Sequence, residues 1–276
     1  MAATLLIFLR EGVEASMIIA ILLAYLDRIG AREHFRDVFL GVGVALVLAG
    51  AGGVAAYLTI RAYSGSRTQT IIETGTFLLA AAVLTYMTFW MRDHARSLSG
   101  ELRARTEAAL DGRARWGLAL LAFQAVGREG LETVVFTLAI ALSTTAAASL
   151  AGAGMGLGIA LVIAVAVYRL GHRLNLGRFF QVLGGVLMIF AAGLLADAVE
   201  NLQQLGWLPV LTAPVWHTTR WLAESSTMGD IAHSFLGYAQ APSLLQVAVY
   251  VAFLVVAVAI FLRLPDRLRA PSGVVR

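Results

Sequence analysis

Residues 5–26 read LLIFLREGVEASMIIAILLAYL, and residues 117–142 read GLALLAFQAVGREGLETVVFTLAIAL. Each stretch is an apolar run of about twenty residues or more, the length that an α-helix needs to cross the hydrocarbon core of a membrane. Each is interrupted near its middle by one arginine and two glutamates. Because ionisable side chains inside a membrane are costly and rare, the two interruptions are also the first candidates for a functional site.

The composition of the whole chain is typical of a protein that resides in a lipid bilayer. Its 276 residues are 59% hydrophobic and 14% charged, whereas soluble domains are about half apolar and about a quarter charged. No basic residue precedes Arg10, so the first block is predicted to be a retained helix and not a cleaved signal peptide. Seven apolar blocks are predicted to span the membrane: 2–26, 38–60, 71–91, 117–142, 153–170, 179–202 and 244–262.

The arginines predict how the chain is oriented in the membrane. The sequence has no lysine, and cytoplasmic loops of membrane proteins carry an excess of basic residues. Sixteen arginines fall after the first, third and fifth blocks and in the C-terminal tail, and three fall on the opposite side. We therefore predict seven spans, with the N-terminus outside and the C-terminus in the cytoplasm. This orientation explains the basic character of the chain without nucleic-acid binding.

A repeated motif divides the chain into two halves. Arg-Glu-Gly-Val-Glu at 10–14 lies in the first block, and Arg-Glu-Gly-Leu-Glu at 128–132 lies in the fourth. Because three spans separate equivalent positions, the halves would enter the membrane from opposite sides, as in the inverted repeats of many secondary transporters. The predicted fold is all-α, a single transmembrane domain over residues 1–276. Within it we expect a three-helix repeat at 1–91, a second at 117–202, an extracytoplasmic loop at 203–243 and a seventh helix at 244–263.

Each motif places three ionisable side chains on one face of its helix. Arg10 and Glu14 are four positions apart and can form an ion pair, while Glu11 and Glu14 are close enough to share a ligand. Gly12 and Gly130 carry no side chain, so another helix can approach there. The predicted metal ligands are Glu11, Glu14, Glu129 and Glu132, with Arg10 and Arg128 in support.

Two such motifs together carry a surplus of negative charge. Four carboxylates face two guanidiniums, and a cluster of that kind favours a cation. Carboxylate oxygens are hard ligands that suit Mg, Ca, Mn and iron, and the absence of cysteine removes thiolate sites. The alternative is an arginine–glutamate network that only joins two helices, which leaves the surplus charge unexplained.

Three further acidic residues are predicted to lie near the outer surface. Glu73 begins the third block, and Asp197 and Glu200 end the sixth. They could form an outer entrance site for the cation, or they could be ordinary interfacial acids that face water. No histidine falls in the middle of a span, and neither motif offers the Glu-x-x-His pairs of di-iron carboxylate proteins. We therefore do not expect an enzyme. In the loop 203–243 we expect short interfacial helices anchored by tryptophans.

The motifs and their placement resemble the high-affinity iron permease family, the oxidase-dependent iron transporters of bacteria and fungi. The hallmark of that family is an Arg-Glu-x-x-Glu motif in the first and fourth of seven spans, which residues 10–14 and 128–132 match. Similar stretches at 84–91 and 206–209 extend the resemblance over nearly the whole chain. In one departure, the family often carries a histidine and two glutamates at the end of the sixth span, where residues 200–204 read ENLQQ.

The resemblance implies iron uptake across the cell membrane, with the motif glutamates as iron ligands. Iron, as Fe²⁺ or Fe³⁺, would be the transported substrate and not a cofactor. The resemblance also implies an extracytoplasmic partner protein that oxidises or delivers iron. Two alternatives stay open at this point: a transporter of another cation such as lead or manganese, and a membrane metalloenzyme that holds a catalytic metal on the same carboxylates.

Overall fold

The computed structural model describes residues 2–94, 98–111, 116–141, 146–170, 176–224 and 226–263. Within these ranges the chain forms α-helices, a short 3₁₀-helix at Arg32–His34 and no β-strand, so the predicted all-α class is confirmed. The helices are α1 (Ala2–Arg28), α2 (Phe35–Ala62), α3 (Arg67–His94), α4 (Leu98–Asp111), α5 (Gly117–Ala141), α6 (Ala146–Leu170), α7 (Leu176–Gln204), α8 (Thr227–Leu236) and α9 (Leu244–Arg263).

Several helices have the length and apolar character that a membrane span requires. Among the described residues, Arg32–Ala62, Arg67–Met91 and Val182–Gln204 are long and apolar enough, and Ser149–Val165 and Leu244–Ile260 are shorter apolar helices. The helices α1 and α5 are long enough, but each carries the three charged residues of a motif. Large apolar side chains are exposed on α2, α6 and α9, which is typical of a surface that faces lipid. They include Leu46, Val47, Leu48, Leu161, Val162, Val255 and Val256.

The second helix packs along the fifth, across the two halves of the chain. Gly41 of α2 lies against Ala119 of α5, and further along Gly53 lies against Val134. The residue numbers rise together along the contact, so α2 and α5 run in the same direction. Gly41 leaves no room for a side chain, because a Cβ there would lie 2.1 Å from the carbonyl oxygen of Ala119.

Helix α1 pairs with α6, and α3 pairs with α7. Gly156 of α6 lies against Leu5 of α1, and Gly12 of α1 lies against Ala160 of α6, so these two helices also run in the same direction. The helices α3 and α7 run in opposite directions. At one end Nη2 of Arg67 donates to the carbonyl oxygen of Leu205 at 3.4 Å, while Gly184 of α7 lies against Thr88 near the other end of α3.

Two apolar clusters lie on either side of the motifs. The Phe136 cluster joins α1, α3, α5 and α7, and the Leu22 cluster joins α1, α2, α4 and α5. In the Phe136 cluster, residues near the start of α1 contact residues near the end of α5. In the Leu22 cluster, residues near the end of α1 contact residues near the start of α5, so the two helices are antiparallel. The Phe136 cluster includes Ile7, Phe77, Leu84, Phe136, Ile140, Leu187, Leu194 and Ala198. The Leu22 cluster includes Ile18, Leu22, Leu26, Val38, Leu102, Leu118, Ala122 and Val126.

The two long connections contain helices. The arginine-rich connection 92–116 lies between the two predicted repeats and contains α4, whose Leu102 and Thr106 are buried. The hydroxyl of Tyr25 in α1 donates to Oε1 of Glu107 in α4 at 2.6 Å. The connection 203–243 contains α8, in agreement with the short helices expected there. Its N-cap is Ser226, whose hydroxyl accepts from the backbone N–H of Gly229 at 3.0 Å.

Candidate metal site

In the first motif, one arginine joins both glutamates of its own helix. Nε of Arg10 donates to Oε1 of Glu14 at 3.1 Å, so the ion pair that the spacing predicts is present. Nη1 of Arg10 lies 3.1 Å from Oε1 of Glu11, as an ion pair without hydrogen-bond geometry. All three residues are buried. The first motif is therefore a charged group with almost no access to solvent.

In the second motif, the arginine turns away from the buried centre. Nε of Arg128 donates to Oε1 of Glu132 at 3.0 Å, as the same spacing predicts. However, 45% of the Arg128 side chain is exposed, and its guanidinium carbon lies 5.0 Å from the centre of the Trp90 ring in α3. A cation over an aromatic face is attracted by the ring quadrupole. Spacing along the chain does not predict this contact, because Trp90 and Arg128 lie in different helices.

Each motif glycine lies close to a different neighbouring helix. A Cβ placed on Gly12 would be 2.8 Å from Cβ of Ala160 in α6, and one placed on Gly130 would be 2.9 Å from Cβ of Ala49 in α2. Side chains essentially never approach that closely, so only glycine allows these helix contacts. The close approach predicted at the motif glycines is present in the structure.

Three of the four motif glutamates come together between α1 and α5. One carboxylate oxygen from each of Glu11, Glu14 and Glu129 lies within 4.8 Å of the other two. Within the described ranges, no other group of three or more histidines and acidic residues is as close. We call these residues the three-glutamate group. All three are buried, whereas Glu132 lies outside the group and pairs with Arg128.

The three-glutamate group leaves polar atoms without hydrogen bonds. Both carboxylate oxygens of Glu11 and Oε2 of Glu129 are buried and have no hydrogen-bond partner among the described residues, and the same is true of Oε2 of Glu132. Buried polar atoms nearly always have such a partner, because an unpaired one costs free energy. Nη1 and Nη2 of Arg10 are likewise buried without a hydrogen bond among the described residues. Hard oxygens that converge on one point have the chemistry of a cation-binding site.

Two of the acids predicted at the outer entrance are held by glutamine side chains. Nε2 of Gln69 donates to Oε1 of Glu73 at 2.6 Å within α3. Glu200 of α7 accepts from Nε2 of Gln246 in α9 at 2.9 Å and from Nε2 of Gln204 at 3.2 Å. Glu73, Asp197 and Glu200 do not form a close group of the kind that the motifs form.

The third of these acids, Asp197, faces a histidine from α8. Oδ2 of Asp197 lies 3.9 Å from Nε2 of His233, and Nδ1 of that ring lies 2.9 Å from the carbonyl oxygen of Tyr238. Burial disfavours the charged ring, but the Asp197 carboxylate, the hydrogen bond to Tyr238 and two further acidic residues together outweigh burial and raise the pKa of His233 above its ordinary value. Sequence reasoning did not find this pair, because the two residues lie far apart in the chain.

The chain is similar to known iron permeases. The sequence profile described as the iron permease FTR1 family matches residues 1–265. The ferrous iron permease EfeU of Yersinia pestis is 33% identical over 271 residues, which cover 98% of this chain and 95% of that protein. The ferrous iron permease EfeU of Escherichia coli O6:K15:H31 is 32% identical over 270 residues, which cover 97% of each chain. No solved structure gives a significant match.

Proposed function

The chain belongs to the iron permease FTR1 family, and from this premise we propose that it carries iron ions across the cell membrane as a multi-pass permease. The observation that carries the proposal is the three-glutamate group. Its carboxylates are buried between two apolar helices. An isolated charge at the centre of a membrane-spanning helix costs roughly 2.5–3.5 kcal/mol on insertion scales. A transported cation gives these buried charges a partner.

The charge of the group favours a divalent ion. Glu11, Glu14 and Glu129 carry three negative charges when ionised, and Arg10 supplies one positive charge within ion-pair distance. The resulting formal charge of −2 is cancelled by one Fe²⁺ ion. The relatives in Yersinia pestis and Escherichia coli are named as ferrous iron permeases, in agreement with this charge. We therefore propose Fe²⁺ as the substrate, with Glu132 as a fourth ligand that joins when its pair with Arg128 opens.

The helix pairing supports an inverted repeat. In such a repeat, α1, α2 and α3 correspond to α5, α6 and α7. When each helix is exchanged for its counterpart, the contact of α1 with α6 turns into the contact of α5 with α2, and the contact of α3 with α7 stays the same. The antiparallel arrangement of α1 and α5 also places the two motifs in opposite orientations. We propose two three-helix repeats plus α9, with the N-terminus outside and a cytoplasmic C-terminus; residues 264–276, which hold three of the tail arginines, lie outside the described part.

Transport in this proposal begins at the outer acids and ends at the cytoplasmic side. Glu73, Asp197 and Glu200 would meet the ion first, after an extracytoplasmic partner protein has delivered it. The ion would then bind the three-glutamate group, and the two repeats would move against each other to open the inner side. Arg10 holds the carboxylates together when no ion is bound.

Uptake of radioactive iron by cells that express single variants tests the proposal. Glu11→Gln and Glu129→Gln keep the size of the side chain and remove its charge, so both are expected to reduce uptake to the background of cells without the protein. Glu33→Gln, an exposed glutamate before α2, is the matched control and is expected to leave uptake unchanged. Normal uptake by both motif variants at equal expression would refute the assignment.

Competition during the same uptake measurement identifies the cation. The hard oxygens of the group would also accept Mn²⁺, so manganese is the second candidate that the chemistry of the site favours. Unlabelled Fe²⁺ in excess is expected to suppress uptake of the label more strongly than Mn²⁺ or Pb²⁺. A stronger effect of Mn²⁺ would assign the site to manganese and leave the transport mechanism unchanged.

A further inference from the structure

Helix α8 reaches from the outer connection down along α7. Nε2 of His233 lies 3.9 Å from Oδ2 of Asp197, and one turn further along the chain a Cβ placed on Gly237 would lie 2.3 Å from Cα of Gly193. Residue numbers rise on one side of this contact and fall on the other, so α8 is antiparallel to α7. Gly193 comes eleven residues before the end of α7 at Gln204, about 16.5 Å along its axis. The C-terminal end of α8 therefore lies deep beside the apolar span of α7, below the outer end of that span.

The chain returns from that depth without regular structure, but its backbone is hydrogen-bonded. Irregular backbone at membrane depth is tolerated only where protein covers it or where it lines a water-filled cavity. The carbonyl oxygen of Gln240 accepts from the backbone N–H of Thr218 at 2.9 Å, and the N–H of Gln240 donates to Oε1 of Glu224 at 2.7 Å. The hydroxyl of Tyr238 donates to the carbonyl oxygen of Leu222 at 2.7 Å. Helix α8 and its return segment are therefore a re-entrant hairpin, bound at its base to the rest of the outer connection.

The contacts of α8 with α7 are weaker than those at the base of the hairpin. Nδ1 of His233 lies 2.9 Å from the carbonyl oxygen of Tyr238, and a carbonyl oxygen only accepts, so Nδ1 carries a hydrogen and Nε2 is left to face Asp197. The separation of 3.9 Å is too long for a hydrogen bond, and both side chains are partly exposed. At Gly237 and Gly193 backbone lies on backbone, so no side chains interlock. These contacts can be released at small cost.

Helix α8 also covers one of the outer acids and the helix junction beside it. The Asp197 side chain is 19% exposed, and its Oδ2 faces His233. Helix α8 packs against α1 as well as against α7. These two helices contribute Ile7 and Ala198 to the Phe136 cluster, which lies between the outer end and the three-glutamate group. A cation that approaches from the outer end therefore meets α8 before it meets this apolar cluster.

We propose that α8 is an outer gate, which the cation itself opens. The inference rests on the proposed function and adds the step by which the ion enters. A cation that binds Asp197 competes with His233 for the same carboxylate, so its arrival removes the contact that holds α8 against α7. The hairpin then moves as a unit about its hydrogen-bonded base. Because only the open form accepts the ion, the apparent affinity is lowered by the fraction of molecules in which the gate is closed.

Asparagine at position 233 tests the gate, because its amide nitrogen takes the place of Nδ1 and no group remains to face Asp197. His233→Asn is expected to lower the Fe²⁺ concentration at half-maximal uptake about two- to fivefold, the effect of one partly exposed ion pair, and to leave the maximal rate unchanged. His217→Asn changes an exposed histidine of the same connection and is expected to alter neither value. An unchanged or raised half-saturating concentration in His233→Asn would overturn the inference.

Thiol labelling follows the movement of α8 directly, because the chain contains no cysteine. Ala198→Cys places one thiol at a buried position of α7 next to Asp197. A membrane-impermeant maleimide added outside is expected to label it about two- to fivefold faster when His233→Asn is also present. Ala45→Cys, buried in the Leu22 cluster, is the control and is expected to stay unlabelled in both backgrounds.

Equal labelling of Ala198→Cys with and without His233→Asn would also overturn the inference. The proposed function would fail separately, through normal uptake by Glu11→Gln and Glu129→Gln.

Discussion

Arg10 and Arg128 occupy the same place in two almost identical pentapeptides, yet their surroundings differ. The side chain of Arg10 is 4% exposed and contacts two glutamates of its own helix. The side chain of Arg128 is 45% exposed, contacts one glutamate and stacks on Trp90. The sequence repeat is thus close to symmetric, whereas the charges around the three-glutamate group are not.

This difference indicates separate roles for the two motifs. The first supplies two carboxylates and the counter-ion of the three-glutamate group. The second supplies Glu129 to the group, and its Arg128 and Glu132 form an ion pair outside the group. If Arg128 also pointed inward, the formal charge of the group would change from −2 to −1, and the proposed site would attract a divalent ion less strongly.

The largest effect on iron binding is expected when equivalent glutamates of the two motifs are compared. Glu14→Gln removes a member of the three-glutamate group, and we expect the affinity for Fe²⁺ to fall by at least about 100-fold. Glu132→Gln removes a residue outside the group, and we expect a loss of about tenfold or less. Isothermal titration of the purified proteins with Fe²⁺ measures both values. Equal losses would show that the two motifs contribute equally to the site.

The two arginines are expected to differ in their contribution to stability. Arg10→Gln leaves buried carboxylates without their counter-ion, and we expect the free energy of unfolding to fall by about 3–5 kcal/mol in the absence of metal. Arg128→Gln removes a partly exposed ion pair, and we expect a loss of about 1 kcal/mol or less. Chemical denaturation in detergent compares the variants. A larger loss for Arg128→Gln would contradict the assigned roles.

The motif glycines are expected to respond alike, because both face a neighbouring alanine. Gly12→Ala and Gly130→Ala force a methyl group against Ala160 and Ala49, which we expect to destabilise the protein by about 1–3 kcal/mol each. Gly75→Ala is the control, since no atom lies within 4 Å of its added Cβ. Thermal unfolding of the three variants is the measurement. Unchanged stability in both motif variants would mean that the helices are not packed as closely as described.

The smallest effect is expected at the aromatic contact of the second motif. A double-mutant cycle of Trp90→Leu and Arg128→Gln isolates the interaction of ring and guanidinium from the packing of the tryptophan. We expect a coupling free energy of about 0.5–1 kcal/mol in favour of the native pair, the range for partly exposed contacts of this kind. A coupling indistinguishable from zero would mean that Trp90 does not hold Arg128 in place.

Local spacing made much of the site predictable. The pairs of Arg10 with Glu14 and of Arg128 with Glu132 depend only on residues four apart in a helix, and both are present. The close approach at Gly12 also follows from the residue itself. The two ion pairs are local, so no knowledge of the packing of helices was needed to expect them, whereas the helix that approaches Gly12 is determined by that packing.

Features that depend on distant segments could not be read from the sequence. The contact of Trp90 with Arg128 and that of Asp197 with His233 each join residues from separate helices. Helix α4 was not predicted, because many charged residues separate its apolar positions. One of these positions, Leu102, packs in the Leu22 cluster. The position of Glu132 outside the three-glutamate group likewise follows from the rotation of α5 against α1, which spacing alone does not determine.

Diffraction from crystals soaked in Fe²⁺, with anomalous data collected on both sides of the iron absorption edge, tests the central claim most directly. We expect one strong iron peak between α1 and α5, at coordination distance from Glu11, Glu14 and Glu129. An iron peak only elsewhere, with these three carboxylates turned apart, would contradict the assignment.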